Sequence, residues 1–134
     1  WSGAYVSGVS LDEYYETVEK MGRNVTKIDK DAMLEYVRTS GGQVIANKGA
    51  TFYAVSVAVC KLVATILSSS DSVATVSSMM HGEYGIEDVC LSTLTLVGPK
   101  GVQGKIPMRM TKEEVEKLKA SADALKAVIA QIEH

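Results

Sequence analysis

Cysteine is scarce in this chain. Cys60 and Cys90 are the only two, and no Cys-x-x-Cys spacing occurs. That argues against a cysteine-ligated zinc module and against a disulfide-dense secreted scaffold. Each cysteine sits inside an apolar run, so two buried thiols in a reducing compartment, the cytoplasm, are expected, with a Cys60–Cys90 disulfide as the alternative. Charge of one sign is also missing. Lys plus Arg is 14 and Asp plus Glu is 16, a formal net charge of −2 and a pI near 5.7. So balanced a chain lacks the basic surface that non-specific nucleic-acid binding needs, and no nucleic-acid partner is expected. No run is long and apolar enough for a bilayer span of about 20 residues. The nearest, residues 50–67, contains Thr51, Ser56, Lys61 and Thr65, so no membrane partner is expected either. Repeats and low-complexity tracts are absent. So is a basic-then-apolar leader: the chain opens Trp1-Ser2-Gly3, which reads as a piece of a longer polypeptide.

What is present fits one compact domain. The 134 residues are 46% hydrophobic and 22% charged, ordinary globular values. Residues 4–11 read as extended. Residues 12–21 read as a short helix, with acids in the first turn, Lys20 near the end and Gly22 at the stop. A loop over 22–29 leads to a stronger helix over 31–47, where Met33, Leu34, Val37, Gly41, Val44 and Ile45 fall at helical spacing. Asp29 or Asp31 can cap its start and Gly49 its end. The pair Gly41-Gly42 lies inside it. Each mid-helix glycine costs roughly 1 kcal/mol against alanine, so a close helix contact or a required hollow is expected there. Residues 50–67 are apolar nearly all round, which predicts a central helix packed on most of its faces.

From residue 72 the period changes from helical to alternating. Strands are expected over 72–80, 88–97 and 102–110, with Gly98-Pro99-Lys100-Gly101 as the turn between the last two. In the third, Val102, Gly104, Ile106, Met108 and Met110 share a face, and Pro107 marks a sheet edge. Thr111-Lys112-Glu113-Glu114 forms a capping box. It opens a final helix whose Val115, Leu118, Ala122, Leu125, Ile129 and Ile132 make one apolar stripe, expected to pack on the sheet. The expected fold is therefore α+β: helices, a three-stranded antiparallel sheet and a closing amphipathic helix.

Self-contained chemistry is hard to find. Of the two histidines, His134 is the terminal residue, and His81 lies in the turn His81-Gly82-Glu83-Tyr84-Gly85. No second His or Cys joins His81 and Glu83 at a metal-ligand spacing, so no metal is expected. Neither a nucleophile-elbow motif nor a Gly-rich phosphate loop is present. Gly41-Gly42 and Thr51 remain as the irregular features, the latter a hydroxyl in the first turn of an apolar helix. Close packing for the glycines and helix-start capping for Thr51 are the plain explanations.

Lys48-Gly49-Ala50-Thr51-Phe52-Tyr53-Ala54 resembles the helix-start motif of the L-lactate/malate dehydrogenase family. Gly82-Glu83-Tyr84-Gly85-Ile86-Glu87-Asp88-Val89, followed by Leu91-Ser92, resembles that family's strand connection. Gly98, Gly101 and Val102 match its next hairpin, and Leu118, Lys119, Ser121, Ala122 and Leu125 its final helix. The likeness runs in order over essentially the whole chain and is to the C-terminal, substrate-side domain. Leu94 departs from it, standing where many members have proline, and residues 22–30 carry no sharp family signature.

The resemblance implies that residues 1–134 are the substrate-side part of a NAD-dependent oxidoreductase acting on a 2-oxo acid and an L-2-hydroxy acid, with pyruvate and L-lactate favoured. The Rossmann domain that binds NAD, and the catalytic His, Asp and Arg residues, would lie outside this chain, so the fragment alone is expected to be inactive. Thr51 matches a Thr lining the substrate pocket of lactate-type members, Gly41 and Gly42 match pocket-facing positions, and Val55 matches an aliphatic residue against the nicotinamide ring. A homodimer or homotetramer is implied for the parent. Malate dehydrogenase of the same family, and a non-catalytic helical binding or oligomerisation module, are the alternatives.

Overall fold

The structure, a computed structural model, describes residues 1–132; His134 lies outside the described residues. The chain divides into two compact units, one running from Trp1 to Ala58 and one from Val59 onward.

The first unit begins with a two-stranded antiparallel hairpin, β1 (Tyr5–Val6) and β2 (Val9–Ser10), in register Tyr5 to Ser10 and Val6 to Val9. Helix α1 (Leu11–Lys20) follows directly. Ser10 caps it, accepting from the Glu13 N–H at 3.4 Å and donating its hydroxyl to Glu13 Oε2 at 2.7 Å. This satisfies one of the donors a helix start leaves unpaired. Leu11 and Tyr15 are the buried residues of α1. The Tyr15 hydroxyl accepts from the Ile28 N–H at 3.0 Å, fastening the loop that leads to α2 (Lys30–Lys48). Asp29 caps α2 through the N–H groups of Asp31 and Ala32, at 3.1 and 3.0 Å. At the other end Gly49 takes a left-handed conformation, φ 81°, and its N–H returns to Ile45 O at 2.7 Å. A side chain there would be strained, which is why glycine stops this helix.

Two expectations for the helices change. Helix α3 (Tyr53–Leu67) buries none of its residues, nor does α2. Val55, Val57 and Leu67 are 57%, 56% and 80% exposed. A helix packed on most faces was expected over 50–67; among the described residues that apolar surface has no cover. Cys60 and Cys90 are likewise free and exposed rather than buried. Cys60 shares the open surface of α3, and Cys90 sits on β4 between the buried Val89 and Leu91, where alternation turns it to the opposite face.

The second unit holds the three-stranded antiparallel sheet in the order β3 (Ser72–His81), β4 (Glu87–Gly98), β5 (Gly101–Lys105). Register runs from Ser72 opposite Val97 to Met79 opposite Cys90, then shifts before His81 pairs with Glu87. The third strand is shorter than the alternation over 102–110 predicts. Its ladder ends at Lys105, with one further bond from the Ile106 N–H to Leu94 O at 2.8 Å. Pro107 falls opposite Thr93, where a backbone N–H would point away from β4, and the next donor, the Met108 N–H, goes to the Tyr84 hydroxyl at 2.8 Å instead of to β4, so Pro107 stands beyond the strand rather than within an edge strand. Helix α4 (Lys112–Ile129) begins at the expected capping box, with Thr111 and Glu114 exchanging bonds of 3.2 and 2.8 Å.

The core lies between α4 and the sheet. Met80, Ile86, Val89, Leu91 and Ala122 are buried together, with Tyr84 and Leu118 packed against them. The apolar stripe of α4 is only partly used: Val115, Leu118 and Ala122 are covered, while Leu125 and Ile129 are 42% and 43% exposed.

Candidate functional site

The residues that the sequence singles out lie on or between α2 and α3. Gly41 and Gly42 sit in the fourth turn of α2, which runs unbroken through them. A Cβ built on either meets nothing within 4 Å. Among the described residues no close helix approach accounts for them. On either side of them, Thr39 Oγ1 donates to Glu35 O at 2.8 Å, Ser40 Oγ to Val37 O at 2.8 Å, and Gln43 Nε2 to Thr39 Oγ1 at 3.1 Å. The polar side chains of this turn are thus occupied by their own helix, and the two glycines leave an open surface beside them.

Thr51 lies outside α3 rather than in its first turn. The first carbonyl to accept in that helix belongs to Phe52, which takes the Ser56 N–H at 2.9 Å. Phe52 therefore holds the capping position and Thr51 precedes it, so its hydroxyl is not engaged in capping. The connection is held from α2: Lys48 Nζ stands 4.3 Å from the Phe52 ring centroid and 3.7 Å from that of Tyr53. Those rings lie 4.7 Å apart and tilted. Such cation–π contacts at exposed sites contribute about 0.5–1 kcal/mol. Val55 is in the first turn of α3 and exposed. Gly41, Gly42, Thr51 and Val55 are all exposed. Together they offer small, hydroxylic and aliphatic surface, without an ionisable group that could move a proton.

Groups with perturbed ionisation are elsewhere. Lys27 is raised by its 2.9 Å bond to Glu19, and Glu113 is lowered by its bond to Lys117. Both are surface ion pairs of the structural kind. Glu83 is held below the usual carboxylate range, first by the His81 N–H, which donates to its Oε2 at 2.7 Å, and further by the charge of Lys105. Among the described residues no group of three or more metal-ligating side chains occurs, and no helix is long and apolar enough to cross a membrane.

Sequence reasoning missed one polar cluster. Lys105 reaches over β4 to β3, donating to Ser78 Oγ at 2.7 Å and Ser78 O at 3.2 Å. The Tyr84 hydroxyl accepts from the Met108 N–H at 2.8 Å and lies 3.3 Å from Met108 O, pinning the segment after β5 to the turn before β4. No signal in the sequence pointed to it, since Lys105 falls on the polar face of the alternating strand.

This architecture defines a known class. The whole chain, residues 1–134, matches the lactate/malate dehydrogenase α/β C-terminal domain, and the chain belongs to that family. It is 35% identical to the L-lactate dehydrogenase of Acetivibrio thermocellus over 99% of its own length and 41% of that protein. Two solved structures share the fold. The L-lactate dehydrogenase of Clostridium thermocellum superposes with a TM-score of 0.82 at 34% identity, covering 100% of this chain and 42% of that one. The malate dehydrogenase of Archaeoglobus fulgidus in complex with NADH gives 0.75 at 28%, covering 82% and 37%. The chain spans about two-fifths of the length of these relatives.

Proposed function

We propose that this chain is the substrate-side portion of a NAD-dependent dehydrogenase that interconverts a 2-oxo acid and its L-2-hydroxy acid, with pyruvate and L-lactate as the favoured pair. The observation that carries the reading is the match of the entire chain to this family's C-terminal domain, together with the open surface around Thr51 and Val55. In this reading Thr51 offers its hydroxyl to the substrate, and Gly41 and Gly42 leave room for a side chain larger than methyl. Val55 fits one face of a nicotinamide ring, since it is aliphatic, exposed and held by the first turn of a helix. NAD supplies hydride transfer in such enzymes. The residues around Val55 carry no phosphate-binding loop, so the bulk of the dinucleotide belongs to a separate Rossmann domain. The role of this chain is to form a pocket wall and keep the ring dry. The uncovered faces of α2 and α3 supply the contact with the remaining domain and with further subunits, as a homodimer or homotetramer.

NADH oxidation by the full-length protein with pyruvate, oxaloacetate and 2-oxoisocaproate tests this. Turnover with pyruvate exceeding that with oxaloacetate is expected, and the 134-residue chain alone should show none. Preference for oxaloacetate would move the assignment to malate dehydrogenase. Turnover by the isolated chain, or none by the full-length protein, would overturn the reading. Strong rejection of 2-oxoisocaproate relative to pyruvate would refute the role given to Gly41 and Gly42.

A further inference from the structure

Strand β3 is an edge of its sheet. The order β3-β4-β5 leaves its far side without a neighbouring strand among the described residues. Which backbone groups face that side follows from the ladder. Leu94 O receives the Ile106 N–H, so Leu94 points at β5, and Thr93 and Thr95 point at β3. Thr93 stands opposite Val76, and Thr95 opposite Ala74. Ala74 and Val76 therefore bond to β4, while Val73, Thr75, Ser77 and Met79 direct their N–H and C=O groups away from it. His81, next in that row, behaves accordingly: its N–H goes to Glu83 Oε2 at 2.7 Å, not to β4. The Glu83 carboxylate thus stops the row at one end, and the four residues before it form an open backbone edge.

Long edges template the pairing of further strands, and proteins commonly blunt them with charge, proline or a bulge. Over residues 72–80, β3 carries neither a proline nor a charged side chain. The extra residue at its register shift belongs to β4, since Met79 and His81 enclose one residue where Cys90 and Glu87 enclose two. The edge is also matched to itself. Laid antiparallel to a second copy about a two-fold axis at Val76, Val73 faces Met79 of that copy, and Thr75 faces its Ser77. Val73 and Met79 are apolar, 51% and 43% exposed, and share one face of the strand. Thr75 and Ser77 are exposed hydroxyl residues of the same face. Apolar meets apolar and hydroxyl meets hydroxyl, which are stabilising cross-strand pairs. On the other face Val76 meets its own copy, and Ala74 meets Ser78. A two-fold axis sets like charges near one another wherever a surface carries them close to the axis, and β3 has none there to repel.

We propose that β3 pairs with β3 of a second copy of this chain, antiparallel about Val76, so that two three-stranded sheets join into one of six strands. The four outward residues of each copy exchange about eight backbone hydrogen bonds across the axis. The contact is isologous and closes on itself, and it uses no residue of α2 or α3.

The test has two arms on the full-length protein. In the first, residue-resolved hydrogen–deuterium exchange is read on the associated protein and again after dilution to the point where sedimentation velocity shows the association lost. The amides of Val73, Thr75, Ser77 and Met79 should be protected in the associated form and exchange freely in the dissociated one, while those of Ala74 and Val76 stay protected in both. Free exchange of the outward amides in the associated form overturns the proposal. So does protection that survives dissociation, which would place another segment of the same chain along the edge. The second arm tests the register. Thr75→Lys with Ser77→Lys sets two pairs of like charges opposite each other and should weaken self-association by about tenfold. Thr75→Lys with Ser77→Glu sets opposite charges at the same places and should return to within about threefold of wild type. Equal effects from the two double variants, or none from either, overturn the pairing. Both positions are exposed, and should a variant fail to fold, the exchange pattern of the wild type still decides. NADH turnover enters neither arm, so failure here is distinct from failure of the dehydrogenase reading.

Discussion

Ala122 is the narrowest point of the core, and enlarging it tests the packing described here. Its side chain is 2% exposed and sits with Met80 at 0%, Ile86 at 4%, Val89 at 2% and Leu91 at 6%. Ala122→Leu adds three carbon atoms to this cluster. With free space, each buried methylene would contribute about 0.8 kcal/mol of stabilisation. Without it, α4 must lift from the sheet or the neighbours must leave their preferred rotamers, at a cost of about 1–3 kcal/mol. The burial values put Ala122 in the second case. Ala120→Leu is the internal control: the same chemistry on the same helix, at an exposed position, where a change within about 0.5 kcal/mol is expected. Urea unfolding of the full-length protein, followed by circular dichroism, reads both. A loss of about 2 kcal/mol against a slope of about 2 kcal/mol/M moves the midpoint down by about 1 M. An Ala122→Leu midpoint equal to or above that of the wild type would refute the seating of α4 on β4. Equal losses from the two variants would show that helix content, not packing, is being measured.

Three further outcomes are expected. Gly98 is buried, and a Cβ there would run into the Asp71 carboxylate, which also accepts from Gln103 Nε2. Gly98→Ala should therefore lower the urea midpoint, and the double variant Gly98→Ala with Asp71→Ala should recover part of the loss. Thr111→Ala removes the capping box of α4 and should cost about 0.5–2 kcal/mol in the same titration, with Thr111→Ser close to wild type. Glu83 has a depressed pKa in the folded state, so its contribution is fully present above the ordinary glutamate value near 4.3 and is lost as pH falls through the lower folded value. The stability difference between wild type and Glu83→Gln should accordingly shrink on acidification through that range. A difference that grows there would contradict the sign.

Local order was legible in the residues wherever one physical signal acted alone. The cap at Asp29, the left-handed stop at Gly49, the turn from Gly98 to Gly101 and the Thr111–Glu114 box all formed as their chemistry dictates. Alternation continues through Met110, but the ladder of β5 stops at Lys105 because the next inward-facing donor, the Met108 N–H, is taken by the Tyr84 hydroxyl. The surroundings of α3 were misjudged for a different reason. An apolar helix must be covered, but hydropathy does not say by what, and here the cover is not among residues 1–132. For the same reason the sequence marked Cys60 as buried, while the structure leaves it exposed.

The candidate site divides in the same way. Thr51, Val55, Gly41 and Gly42 were picked out by sequence, and tertiary structure added that the glycines face open space and that Thr51 precedes its helix. The contacts of Lys105 with Ser78 and of Tyr84 with Met108 were invisible beforehand, because the partners lie 27 and 24 residues apart along the chain and meet only in the folded sheet. Periodicity, caps and turn chemistry are local, and they determined which segments became helix or strand. Which faces close on one another, and where a polar group is left inside, depends on long-range packing that no local pattern encodes.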